Sequence, residues 1–131
     1  MAKILVADHD RDYRELVVFS LRFAGHIIYS TDNAQECLDL ARRQKPDLLL
    51  VEFWLVENEG IDFCARLKPG QDLAEIHVVY LTEPGEAVKI ETRSDPCGVQ
   101  VLSKSLSPDE LTRAINKTLK GLLKAKDKML A

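Results

Sequence analysis

No apolar run in the 131 residues approaches the ~20 that a membrane-spanning helix needs, so no membrane segment is expected. Cysteine is scarce. Cys37, Cys64 and Cys97 are odd in number, far apart and outside metal-ligand spacing. They read as small hydrophobes in a reducing cytosol rather than a disulfide framework. The opening MAKILVAD lacks the charged and apolar regions of a signal peptide, so the expected location is cytoplasmic. Neither sign of charge dominates: the net charge of −3 argues against nucleic-acid binding by the domain as a whole. Repeats, low-complexity stretches and internal linkers are also missing. What remains, 46% apolar and 30% charged, suits one globular domain with a full core.

The most informative stretch runs from Lys45 to Gly60, KPDLLLVEFWLVENEG. Leu48 to Val51 is apolar without polar alternation, the habit of a parallel strand buried on both faces. It ends in one carboxylate, Glu52. Similar short strands are expected at Ile4–Ala7, His26–Thr31, Ile76–Leu81 and Val99–Leu102, ending at Asp8-His9-Asp10, at Asp32, at Thr82 and at Ser103-Lys104 respectively.

Helical patterns alternate with these strands. The first is capped by Asp10 or Asp12, carries a stripe of Tyr13, Leu16, Val17, Leu21 and Ala24, and ends at Gly25. Val18 and Phe19 lie off that stripe, as a contact surface or as ordinary apolar exposure. A second helix, capped by Asp32 or Asn33, turns Ala34, Cys37, Leu38 and Ala41 inward. After Glu52 a loop is expected, then a helix from Gly60 to Lys68 stopped by Pro69-Gly70. The segment Glu83 to Cys97 has only a weak helical signal. The last helix starts most clearly: Ser107-Pro108-Asp109-Glu110 combines an N-cap, proline at the first helical position and a capping-box glutamate. Its apolar positions are Leu111, Ala114, Ile115, Leu119 and Leu122, and its pattern extends to Met129. From Lys117 onward five lysines and one aspartate give +4, which leaves −7 on residues 1–116. The basic surplus is a solvated helix end, a docking tail or a linker cut from something larger.

Five β-α units with right-handed crossovers give a single α/β domain, a doubly wound five-stranded parallel sheet in the flavodoxin-like order 2-1-3-4-5. In such sheets ligands bind at the carboxyl ends of the strands. That edge collects Asp8, His9, Asp10, Glu52, Thr82 and Lys104. Acids that hold a hard cation, a lysine that neutralises a phosphoryl group and a hydroxyl that bonds its oxygen form one coherent chemistry. A central carboxylate would be its nucleophile.

These residues resemble the response-regulator receiver domain of two-component signalling. KILVAD, the helix end at Gly25, KPDLLLVE leading into ENEG, VVYLT and VLSK before SPDEL carry the resemblance over residues 2 to 123. The spacings are 44 residues from Asp8 to Glu52, 30 on to Thr82 and 22 to Lys104. The resemblance implies a receiver-like domain over 1–123 with a basic helix extension at 124–131. It puts Asp8 and His9 at the Mg²⁺-binding acidic pair and Glu52 at the phosphoacceptor. Trp54 falls where a backbone carbonyl completes the metal shell. Thr82 becomes the switch hydroxyl and Lys104 the phosphate-binding lysine.

The departures from the family pattern are as informative. Glu52 stands for aspartate, placing its carboxylate one methylene further out, and His9 stands for an acidic ligand of an ion that prefers oxygen. Glu83 replaces a small residue beside Thr82, Val101 the aromatic that reports the switch, and Val56 a loop proline. Ser105 replaces the proline after Lys104, where the family has a cis peptide; a trans bond is expected before serine. Together they imply a non-enzymatic pseudo-receiver with weakened Mg²⁺ binding, in which Glu52 pairs with Lys104 or His9. It would signal by contact with a sensor kinase, a sister receiver or an output module, with a homodimer also allowed. The alternatives are a working receiver that uses Glu52 or Asp10 as acceptor and a phosphatase of the haloacid-dehalogenase type. A transition metal held by His9, Asp8, Asp10 and Glu52 lacks a second His or Cys.

Overall fold

The computed structural model describes residues 1–59, 75–85 and 100–130. The expected helix at Gly60–Lys68, most of Glu83–Cys97, and Cys64 and Cys97 lie outside them. Five strands, β1 (Lys3–Ala7), β2 (Ile27–Thr31), β3 (Leu48–Glu52), β4 (His77–Thr82) and β5 (Gln100–Ser103), form one parallel sheet in the order β2-β1-β3-β4-β5. Its described helices are α1 (Arg11–Phe23), α2 (Ala34–Gln44), α3 (Phe53–Glu59) and α4 (Pro108–Leu130).

The strand period of two divides the core. Ile4, Val6, Leu48, Leu50, Val79 and Leu81 turn toward α1 and α4, where they meet Val17, Val18, Leu21, Leu111 and Ile115. Leu5, Ala7, Leu49, Val51, Val78 and Tyr80 turn to the other face, against Cys37, Leu38, Ala41, Phe53, Leu55 and Val56. Each such aliphatic side chain contributes about 1.5–3 kcal/mol by leaving water. β3 is flanked on both edges and covered on both faces, so all five of its residues are buried, Glu52 included. That is why its sequence shows no alternation.

Two expectations need correction. Helix α1 presents Val17, Val18 and Leu21 to the sheet, while Leu16 is exposed, as is Ala24. Phe19 is exposed as well and stacks on Phe23, with ring centroids 6.4 Å apart. Four consecutive apolar residues, Leu16 to Phe19, leave the helical phase open; packing on the sheet chose the 17/18/21 face. The loop expected after Glu52 is instead α3. Val56 keeps the backbone N–H that a proline would lack, and burial of Phe53, Leu55 and Val56 ties the turn to the core. Glu59 Oε2 then accepts from the Ala34 N–H at 2.7 Å, anchoring α3 to the start of α2.

The caps follow the sequence closely. Asp10 accepts from the Tyr13 N–H and Asn33 from the Glu36 N–H, opening α1 and α2. At α4 the Glu110 N–H donates to Ser107 Oγ at 3.2 Å while the Ser107 N–H donates to Glu110 Oε1 at 3.0 Å. Ser107→Ala is therefore expected to cost about 1 kcal/mol, read as a lower midpoint in urea denaturation with an unchanged slope. At 23 residues α4 is about 34 Å long, well beyond the ~17–20 Å of the strands it covers.

Candidate functional site

The carboxyl ends of β1, β3, β4 and β5 meet under the first turn of α1. Asp8 follows β1 and is fully buried; Glu52 ends β3 and is 1% exposed. Lys104 follows β5, fixed by its N–H to the Thr82 carbonyl at 2.8 Å. Its ammonium lies 2.9 Å from Asp8 Oδ2 and 2.9 Å from Glu52 Oε2, with only 6% of the side chain exposed. The other oxygen of Glu52 is also occupied. Oε1 accepts from the His9 N–H at 3.0 Å and from His9 Nδ1 at 2.6 Å, which places the imidazole proton on Nδ1. Glu52 thus pairs with both partners named for it from the sequence.

Two carboxylates and one ammonium leave a surplus negative charge, and the two acids share it unequally. Burial raises Glu52, but hydrogen bonds from His9 and Lys104 outweigh it and hold the acid below its ordinary value. Asp8 moves up, because burial and the neighbouring Glu52 charge outweigh its bonds to Lys104 and the Asp10 N–H. Burial opposes the charge on Lys104, yet its pairing with Glu52 and Asp8 drives its pKa well above the usual lysine value.

Thr82 and Trp54 are also at this edge. Thr82 is buried and its hydroxyl donates to the Leu102 carbonyl at 3.4 Å. Trp54 sits in the first turn of α3, where its carbonyl is directed along the helix axis. Its half-exposed ring lies 4.3 Å from that of His9. Glu83 Oε1 stands 3.9 Å from the Lys104 ammonium at the exposed rim. Val101 is half-buried against the face that carries α2 and α3. No described peptide bond is cis, that between Lys104 and Ser105 included.

Two side chains of this site were not expected from the sequence. The Tyr13 ring lies 4.5 Å from the Lys104 ammonium, a cation–π contact, and burial pushes its phenol up to about 12. Arg14 donates to the Asp8 carbonyl at 2.8 Å. Both lie in the turns of α1 just after Asp8, and helical phase alone did not separate them from core and surface.

Asp8, His9 and Glu52 offer ligand atoms within 4.8 Å of one another. As a donor set for Mg²⁺ they are short of oxygen: the ion takes near-octahedral oxygens at ~2.0–2.1 Å, and His9 offers nitrogen. Asp8 Oδ2 is already paired with the Lys104 ammonium at 2.9 Å.

A doubly wound α/β sheet with acids, a hydroxyl and a lysine at its strand ends is the architecture of phosphotransfer signalling modules. The family described as the response regulator receiver domain matches residues 4–116, and the chain belongs to it. It is a receiver domain of two-component signalling. The phosphate regulon transcriptional regulatory protein PhoB of Pseudomonas aeruginosa is 27% identical over 117 residues, 89% of this chain and 51% of PhoB. A 14.6 kDa protein of Leptolyngbya boryana, described as uncharacterized, is 30% identical over 116 residues and 86% of each chain. The chain spans about half the length of PhoB and of the probable transcriptional regulator ycf27 of Porphyridium aerugineum and of Guillardia theta, which it also matches. Among solved structures, NtrX from Brucella abortus superposes with a TM-score of 0.81 at 24% identity, over 99% of this chain and 29% of NtrX. A response regulator receiver domain protein from Clostridium thermocellum gives 0.77 at 20% identity, over 100% of both chains. These two establish the fold. Receiver domains commonly bind Mg²⁺ at an acidic site, and they are generally not enzymes. Among the described residues no helix is long and apolar enough to cross a membrane.

Proposed function

We propose that this chain is a pseudo-receiver, which transmits signals by protein contact and does not accept a phosphoryl group in the ordinary way. One observation carries the reading: both oxygens of Glu52 are engaged, by Lys104 at 2.9 Å and by His9 at 2.6 and 3.0 Å. An acceptor carboxylate needs one oxygen free to attack in line and a cation to neutralise the incoming group. Here the acceptor position is longer by a methylene and already bonded to a tethered ammonium.

In this reading Asp8, His9, Glu52 and the Trp54 carbonyl are the remnant of the metal site, with Mg²⁺ binding weak or lost. Thr82 keeps the place of the switch hydroxyl and Lys104 that of the phosphate-binding lysine, now an internal counter-ion. Residues 1–123 are the receiver unit and 124–131 the basic extension of α4. The protein is cytoplasmic and not an enzyme. Its partners are a sensor kinase, a sister receiver or an output module, and neither nucleic acid nor membrane engages this domain.

Trp54 reports the test, being 42% exposed and in ring contact with His9. Titration with millimolar Mg²⁺ and then beryllofluoride, a phosphoryl mimic, is expected to leave its fluorescence unchanged. A saturable change in the native protein would end this reading in favour of a working receiver.

A further inference from the structure

At the opposite end of the sheet from Glu52, the overhang of α4 creates a second feature. Its turns from Leu119 to Lys126 pass the amino ends of the strands and, with Ala2, Asp47 and His77, enclose an open groove of about 430 Å³. That volume lies within the ~300–1,000 Å³ of small-molecule sites. Two polar clamps fix its walls, so the groove is formed in advance. His26 Nδ1 accepts from the Ala2 N–H at 3.1 Å while its Nε2 bonds Asn116 Oδ1 at 2.7 Å. Gln100 in turn links His77, at 3.0 Å, to Thr118 of α4, at 2.9 Å. The helix wall is apolar: Leu119 and Leu122 are partly buried, and Leu123 is 62% exposed. Charge is divided across the groove, with Asp47 and Glu75 on the strand side and Lys120 and Lys126 on the helix side. Asp47 is held rigidly. Its Oδ2 accepts from the Lys3 N–H and its own N–H donates to the Lys3 carbonyl, both at 2.8 Å. Among the described residues no ion pair joins these acids to these lysines.

We propose that this groove binds a short apolar peptide with both termini free, its ammonium on Asp47 and Glu75 and its carboxylate on Lys120 and Lys126. The charges select that class of ligand. Two acids and two lysines across one groove cancel, so an occupant of a single sign would satisfy one wall and be repelled by the other. An uncharged apolar molecule would strip water from the charged groups and replace it with nothing. A free amino acid carries both charges on one carbon and meets one wall at a time. A dipeptide separates its termini by a backbone several ångströms long. It also leaves two side chains to cover Leu119, Leu122 and Leu123. Because Lys3 already fixes Asp47, ordering the strand wall costs little on binding. The inference does not depend on the state of Glu52, which lies at the other end of the sheet.

Titration of the ¹⁵N-labelled whole chain with the dipeptide Leu-Leu, followed by amide chemical shifts, tests it. Saturable shifts at Asp47, His77 and Leu119 to Lys126 are expected, with a dissociation constant on the order of a millimolar. N-acetyl-Leu-Leu and Leu-Leu amide should each bind about threefold or more weakly, the worth of an exposed ion pair, and leucine alone more weakly still. Lys126→Glu should abolish the preference for a free carboxylate and keep that for a free ammonium. Glu75→Lys should do the reverse. Both side chains are exposed, so folding is retained, and a selective change of preference marks contact with one terminus rather than a structural defect. The absence of saturable shifts up to ~10 mM peptide overturns the proposal, as do equal affinities for free and capped peptides. Preferences unchanged in both variants, or shifts centred outside the groove, overturn it equally. So do groove shifts that follow protein concentration and resist peptide, which would give the site to a second copy of the chain.

Discussion

Lys104→Met should lower the unfolding free energy by about 3–5 kcal/mol, the usual cost of breaking a buried ion pair from one side. For a chain of this size that is roughly 10–20 °C in the thermal midpoint. The cost arises because the ammonium serves two carboxylates at once, 2.9 Å from each, and Asp8 and Glu52 are 0% and 1% exposed. Methionine fills much of the space but leaves two adjacent buried negative charges. The double variant Lys104→Met/Glu52→Gln should recover most of the loss, because the amide removes one charge and can still accept from the His9 N–H. A loss below about 1 kcal/mol, the range of exposed pairs, would show that water screens the cluster.

The pH profile separates the same contributions. Pairing raises Lys104 above its ordinary value of 10.5. Its stabilisation is therefore complete below pH 10.5 and is lost as the pH rises through the folded-state value. Glu52 is lowered from 4.5, so its contribution is present above pH 4.5 and fades as the pH falls through its own folded-state value. Asp8 is shifted the other way, upward from 3.8, and regains stability on protonation, which blunts the acid limb. The alkaline limb is the cleaner diagnostic. Native protein should lose stability there faster than Lys104→Met does once the pH passes about 10.5, in urea midpoints measured from about pH 9 to 12.

How far these features could be read in advance depended on what kind of signal each residue carries. Leu48–Val51 announced a central strand because burial on both faces removes every polar residue from it. Ser107 and Glu110 announced a helix start because their reciprocal bonds are local to four residues. The edge that gathers Asp8, Glu52, Thr82 and Lys104 was legible because a parallel sheet puts all its strand ends on one side. The phase of α1 was not: Leu16-Val17-Val18-Phe19 fits several helical faces, and only the sheet beneath selects Val18 over Leu16. Nor was α3, whose seven residues are too few to show a period and whose helix depends on tertiary burial of Phe53 and Val56. The contact between Tyr13 and Lys104 joins residues 91 positions apart, and no spacing rule links a helix turn to the end of β5.

The same edge yields the most informative gain of function. Glu52→Asp should make the protein respond to Mg²⁺ and beryllofluoride, where the native chain is expected to stay silent. Removing one methylene withdraws the carboxylate by about an ångström, enough to decide whether reacting groups align. It cannot then hold Lys104 and both His9 donors, now at 2.9, 2.6 and 3.0 Å. The vacated position is where a phosphoryl group would sit, beside the Lys104 ammonium and on the strand edge that carries Thr82, whose hydroxyl makes only a long bond to Leu102. Stability should fall by about 1–2 kcal/mol as those bonds weaken, a signature opposite to simple improvement of the fold. Adding His9→Asp supplies the missing oxygen ligand and should raise Mg²⁺ affinity by at least about tenfold. If Glu52→Asp alone answers beryllofluoride, the longer side chain is what blocks the cycle. If even the double variant stays silent, the obstacle lies in α3, where the Trp54 carbonyl is committed to a helix, and Val56→Pro becomes the change that should release it.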